Sequence, residues 1–188
     1  GHHIRVTFYG THIYNPDIDA GLVHCSKIAN LTGLYLYGKT ISDAGLVHLQ
    51  GLTKLKYLRI TGNARISNAE LQNLAGLVNL SSLSLSLTSV TAEGLAKLRG
   101  LSNLSRLNLH RCYVTDAAVE HLKHLKNLRI IDLTRTPFTD VGYAELKKAL
   151  PKCEIRYTPN KNKAQTNPMP LSDKPAEGAI FDPTPPED

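Results

Sequence analysis

Ser84, His110 and Asp132 supply the three side-chain types of an acyl-transfer triad. A triad also needs a nucleophile raised on a sharp strand-to-helix turn and backbone donors aimed at the developing oxyanion. Ser84 instead lies in Ser82-Leu83-Ser84-Leu85-Ser86, an alternating polar and apolar run with no glycine beside it. His121 and His124, three residues apart, would share one helix face. Zinc takes at least three protein ligands, and no third is apparent near them. Cys25, Cys112 and Cys153 are odd in number and widely spaced, without a C-x-x-C pair, so they read as buried thiols and not as a zinc or redox motif. The sequence contains no phosphate loop, dinucleotide fingerprint or calcium loop. It therefore assigns no catalytic residue, no cofactor and no metal, and the chain is not expected to be an enzyme.

The chemistry that remains is recognition, and the elements that would position it repeat. Asp43-Ala44-Gly45-Leu46 has counterparts beginning at Asp19, Asn68, Ala92, Asp116 and Asp140, at spacings of 24, 25, 24, 24 and 24 residues. One apolar column runs through Val6/Phe8, Leu34/Leu36, Leu58/Ile60, Leu83/Leu85, Leu107/Leu109 and Ile131/Leu133. A step of two places each pair on one face of a strand. The second column steps by three, as in Leu46-Leu49-Leu52 and Leu95-Leu98-Leu101, and predicts a helical stripe. Ser42, Ser67, Thr91, Thr115 and Thr139 stand where helix N-caps belong. Ser67 and Glu70 have capping-box spacing, and the Asp that often follows the cap would meet the positive end of the helix dipole. Gly51, Gly76 and Gly100 fall where a left-handed helix end suits glycine. Six helices and about seven strands are expected, the last strand at residues 153–157. No repeat can bury its own apolar strip, so the copies must stack.

The block from Leu80 to Val90 resembles the eleven-residue segment L-x-x-L-x-L-x-x-N-x-L of leucine-rich repeats, with Thr88 in place of Asn. Val90 to Leu98 is similar to the I-T-D-x-G-L-x-x-L continuation of helical-backed bacterial repeats and of the repeats of F-box proteins. The ending Leu146-Lys-Lys-Ala-Leu-Pro151-Lys-Cys153 resembles the closing repeat of such bacterial proteins. The resemblance covers roughly residues 4–157. It implies an α/β solenoid, a right-handed superhelix with one parallel sheet on the concave face and short helices on the convex face. The sequence holds no F-box, so no adaptor role comes with the likeness. The Asn position is occupied by Thr11, Lys39, Asn63, Thr88, Cys112 and Thr136, so a full asparagine ladder is not expected.

In such a solenoid the residues between the core leucines line the concave face. Tyr9, Tyr35, Tyr37, Tyr57 and Arg59 fall in its first half, and Arg106, His110, Arg111, Arg129 and Arg135 in its second. Tyr and Arg are the types that dominate interface hot spots, and Arg forks onto carboxylates and phosphates. These ten are the candidate partner-binding residues of a non-catalytic protein–protein module. The net charge of +6 would suit an acidic partner. The alternative is an anionic ligand, a glycan or nucleic acid, on the basic surface; nucleic acid ranks below protein because no nucleic-acid module is visible. No apolar run reaches the roughly 18 residues of a membrane span, and none reads as a signal peptide. Compartment and oligomeric state are not legible.

The repeat region is expected to end at residue 157. Residues 158–188 form a second unit, a tail that carries seven of the ten prolines. Within it, residues 173–188 hold five acids against Lys174, a net of −4, which leaves +10 on the rest of the chain. That split predicts that the acidic end docks on the basic body.

Overall fold

A computed structural model describes residues 4–9, 17–38, 41, 43–64 and 66–159. Nearly the whole expected tail, the positions of Thr11 and Lys39 and the Ser42 cap lie outside the described residues. So do the side chains of Phe8 and Tyr9, whose backbone is described.

Seven strands alternate with helical segments. They are β1 (Ile4–Tyr9), α1 (Asp17–Cys25), β2 (Leu31–Tyr37), α2 (Asp43–Val47), β3 (Tyr57–Thr61), a 3₁₀ segment (Glu70–Leu74), β4 (Ser82–Ser84), α3 (Ala92–Leu95), β5 (Arg106–Asn108), α4 (Val119–Leu122), β6 (Ile130–Leu133), α5 (Asp140–Ala149) and β7 (Glu154–Tyr157). A 3₁₀ turn follows α3 and another precedes α4. All seven strands form one parallel sheet in sequence order. Leu34, Leu58, Leu83, Leu107 and Ile131 stand side by side along it, as the spacing of leucines predicts.

The two apolar columns meet between sheet and helices. Leu36, Ile60, Leu85, Leu109 and Leu133 are buried there against Leu46, Leu71, Leu95 and Leu122 in one continuous core. Cys25, Cys112 and Cys153 are buried, free thiols.

The helix ends differ from expectation. Thr139 caps α5, its hydroxyl accepting the Val141 N–H at 3.2 Å. Thr91 and Thr115 make no such bond. Ser67 donates to the Glu70 carboxylate instead of serving the backbone. In two repeats the residue after the cap position also bonds to the next repeat. Asn68 accepts the Thr91 N–H and donates to its hydroxyl (2.9 and 2.7 Å), and Asp116 accepts the Thr139 N–H and hydroxyl (2.8 and 2.5 Å). Gly94 and Gly142 make this reach possible: a Cβ at either would occupy the space of the Asn68 or Asp116 side chain.

Gly51, Gly76 and Gly100 do not take a left-handed backbone; among the described glycines only Gly38 and Gly62 have positive φ. The left-handed position lies at the other turn, just after each strand. Gly38 (+96°), Gly62 (+77°), Leu87 (+59°), Arg111 (+56°) and Arg135 (+56°) occupy equivalent places in five repeats. The twist aims each N–H at the next repeat: Gly38 to Thr61 O, Gly62 to Ser86 O, Leu87 to His110 O and Arg111 to Thr134 O, at 2.9–3.1 Å. A non-glycine residue held there costs about 1–2 kcal/mol of conformational energy.

Side-chain ladders complete the stack. Asn63 donates to Ile41 O of the preceding repeat, whereas Thr88 and Thr136 donate within their own repeats, to Leu85 O and Leu133 O. An asparagine ladder lies in the loops that lead into the strands. Asn79, Asn103 and Asn127 each donate to a carbonyl of the preceding repeat (Thr53, Val78, Ser102) at 2.8–2.9 Å.

Replacing Leu83 or Leu107 by Ala is expected to cost about 2–5 kcal/mol in urea unfolding, as truncation of buried Leu does. Leu87→Gly should keep or raise stability, whereas Leu87→Val, with its branched Cβ at positive φ, should lower it by about 1–2 kcal/mol.

Candidate binding face

Strand register fixes which side chains become neighbours. Residues between the core leucines form two cross-strand rows on the sheet's open face. One runs Arg5, Gly33, Tyr57, Ser82, Arg106, Ile130 and Glu154; the other Thr7, Tyr35, Arg59, Ser84, Asn108, Asp132 and Arg156. Tyr9, Tyr37 and Thr61 begin a third row, which Ser86, His110 and Thr134 continue past the shorter strands.

Of the ten candidate residues, Tyr35, Tyr37, Tyr57, Arg59, Arg106 and His110 lie in these rows, half-buried by their neighbours. Tyr9 joins them by register. Arg111 and Arg135 occupy the left-handed turns along the C-terminal rim. Arg129 stands at the opposite rim, in the residue before β6, and is exposed. The alternation that places Ile131 inward puts Ile130, not Arg129, on the face. Ile130 and Arg156 are face residues the sequence reading missed. Counting in twos from Ile131 finds both, since Asp132 is paired with Arg156 across β6 and β7.

The first half of the face is bound together by its own side chains. Arg59 Nη1 donates to Tyr37 Oη at 2.9 Å, with the guanidinium 5.8 Å from the ring centroid. Arg5 lies over Tyr57 at 5.6 Å. Such contacts hold long side chains in place before any partner arrives. Beside them a hydroxyl chain runs from Ser84 to Ser86 to Thr61 at 3.4 and 3.2 Å. A shallow depression of about 30 Å³ lies between Tyr57 and Asp132. Small-molecule pockets are typically of order 300–1,000 Å³, so the face suits a broad surface better than an enclosed ligand.

The second half is built around a charge-linked network. The Asp132 carboxylate accepts the Thr134 N–H at 2.9 Å and the Thr134 hydroxyl at 2.6 Å. With that proton directed at Asp132, Thr134 Oγ1 accepts from His110 Nδ1 at 2.6 Å. Neutral His110 thus carries its proton on Nδ1 and keeps Nε2 as an acceptor. Ser84 is bonded to Ser86, and Thr134 stands between His110 and Asp132, so these residues do not form a nucleophile–base–acid relay. Burial lowers the His110 pKa; Asp132 opposes the shift, and Arg135 and Arg111 add to it.

On the convex side, His121 Nδ1 faces Arg99 Nη2 at 2.7 Å, while His124 is exposed. The described residues contain no group of three metal-ligating side chains. No described helix is long and apolar enough to cross a membrane. Burial pushes the Cys112 thiol up to about 11, so it is not a nucleophile at neutral pH.

No family model and no curated protein matches the chain. Solved structures do. Internalin C2 from Listeria monocytogenes aligns over 72% of this chain at 30% identity with a TM-score of 0.57. The chain spans 55% of that protein's length. TLR13, solved in a complex with the RNA ssRNA13, aligns over 70% of this chain and 19% of its own at 22% identity and a TM-score of 0.50, a likeness of fold. The chain is a leucine-rich-repeat solenoid. The likeness to the repeats of F-box proteins has no counterpart among these structures.

Burial of His110, reinforced by Arg135 and Arg111 and opposed by Asp132, makes the solenoid's stability depend on pH. His110 is harder to protonate folded than unfolded, so its contribution is intact above the unfolded value near 6.5 and declines as pH falls through the lower folded value. Urea midpoints should therefore drop between pH 7 and pH 5, and His110→Asn should flatten that part of the profile.

Proposed function

We propose that this solenoid is a non-catalytic binding module whose concave face holds a protein partner. Stacked repeats of this kind create extended concave surfaces of the sort binding proteins use. The observation that carries the reading is the interlocked Tyr37–Arg59 pair beside Tyr35 and Tyr57. These are hot-spot residue types, fixed in place on a face too shallow to enclose a small molecule. Fixing them beforehand lowers the entropy cost of association.

A second reading is an anionic ligand. Among the described residues only two ion pairs occur, Glu120–Lys123 and Glu154–Arg156. Arg106, Arg111, Arg129 and Arg135 take part in neither. An acidic protein would meet the same arginines, and affinity that falls steeply and linearly with the logarithm of salt would favour a polyanion.

Changing Tyr35, Tyr37 and Arg59 together to Ser should abolish capture of the partner in pull-downs and leave the melting temperature nearly unchanged. Loss of capture from Lys97→Ala and His121→Ala instead would place the site on the convex helices and overturn the reading.

A further inference from the structure

We propose that His110, Arg111 and Arg135 form an oxyanion site at the C-terminal rim of the sheet, which takes neighbouring carboxylates of an acidic peptide segment with uptake of a proton at His110. The site deepens the binding-face reading, since it assigns a ligand chemistry to one rim of that face.

Arg111 and Arg135 occupy the same place in adjacent repeats, just after β5 and β6. Adjacent strands lie about 4.8 Å apart, so their side chains start within reach of one acidic dipeptide. Neither forms an ion pair among the described residues, and Asp132, the carboxylate beside His110, is occupied by the Thr134 N–H and hydroxyl. The two guanidiniums thus present fork donors without a carboxylate to receive them. Two fixed charges suit two carboxylates better than one. Where the equivalent turns carry Gly38 and Gly62, the backbone meets no strain, while both arginines are held at φ +56°.

His110 supplies the proton link. It is held through Nδ1 by Thr134 and has Nε2 as its remaining ring nitrogen. The groups facing it are Asp132 from β6, Arg111 and Arg135 from the two turns, and the buried Cys112 thiol behind; on the β4 side stands Ser86, which does not titrate. An anion on the arginines offsets the charges that oppose protonation, and His110 Nε2 then becomes a third donor. Each unit by which the bound anion raises the His110 pKa is about a tenfold gain in affinity, complete once the pH is below the value in the unliganded protein.

Two sources of acid can reach the rim. Thr158 Oγ1 accepts the Arg135 N–H at 3.3 Å, so the chain leaves the sheet beside the site, and its residues 173–188 are net acidic. The other source is a separate protein.

The probe is a tetraglutamate peptide titrated into the ¹⁵N-labelled full chain by NMR. The Arg111 and Arg135 Nε–H signals and the His110 ring signals should shift together and saturate, with tighter binding at pH 6 than at pH 8. Arg111→Gly with Arg135→Gly, which relieves the left-handed strain and so spares the fold, should abolish the saturable shifts. His110→Asn should keep binding and lose its pH dependence. Equal shifts in sodium chloride of matched ionic strength, or saturation that persists in the double glycine variant, would overturn the site. Tighter tetraglutamate binding after Asp173→Asn, Glu177→Gln, Asp182→Asn, Glu187→Gln and Asp188→Asn are combined assigns the site to the chain's own end; unchanged affinity assigns it to a separate protein. If the rim fails while the Tyr35, Tyr37 and Arg59 result stands, this site is lost and the binding face remains.

Discussion

A strand of three to seven residues with a helical turn behind it has an apolar strip on each element and nothing of its own to cover either. Each repeat here is buried by the repeat beside it, and the register between them must hold to a single residue. A slip by one would send Leu83 and Leu85 outward and Ser82 and Ser84 inward. The left-handed turn after each strand sets that register. It directs an N–H across the gap to the next repeat, and the same twist is found whether the residue is Gly62, Leu87 or Arg135. The Asn79, Asn103 and Asn127 ladder fixes the other end of the strands. Between those two seams the face is a grid, and the neighbours of any side chain follow from sequence alone.

That grid explains how ordinary residue types become a surface. Tyr37 and Arg59 are 22 positions apart in the chain and meet because β2 and β3 run in register. His110, Thr134 and Asp132 join by the same rule across β5 and β6. The face divides into an aromatic half that is self-bonded and a basic half in which Arg106, Arg111 and Arg135 form no ion pair among the described residues. A partner that spans both would present apolar or hydroxyl-bearing surface to the first and carboxylates to the second.

Much of this was legible in the sequence, because the physical signal repeats. A leucine every two residues in the strand and every three in the turn behind it appears five or six times over, and chance does not sustain that. The left-handed column was not: glycine chemistry pointed to Gly51, Gly76 and Gly100, and Leu87, Arg111 and Arg135 carry no side-chain signal for a positive φ. The helix caps were legible only in part: Thr139 caps α5, but Thr91 and Thr115 make no cap bond. A Thr before an Asp looks like a local cap, but Asp116 satisfies Thr139 in the next repeat, and only the stacking distance decides between the two. The 3₁₀ character of Glu70–Leu74 was hidden for a similar reason, since a three-residue leucine step serves either kind of turn. Of the site, composition located the tyrosines and arginines, but parity decided their side: Arg129 belongs to a rim because Ile131 must point inward.

Binding by the sheet face means that a partner meets the strands and not the helices. Site-specific photo-crosslinking tests it most directly, with p-benzoylphenylalanine installed in place of Tyr35 or of Lys97 in the cells that make the protein. A discrete covalent adduct is expected from position 35 and none from position 97. An adduct from position 97 alone would contradict it.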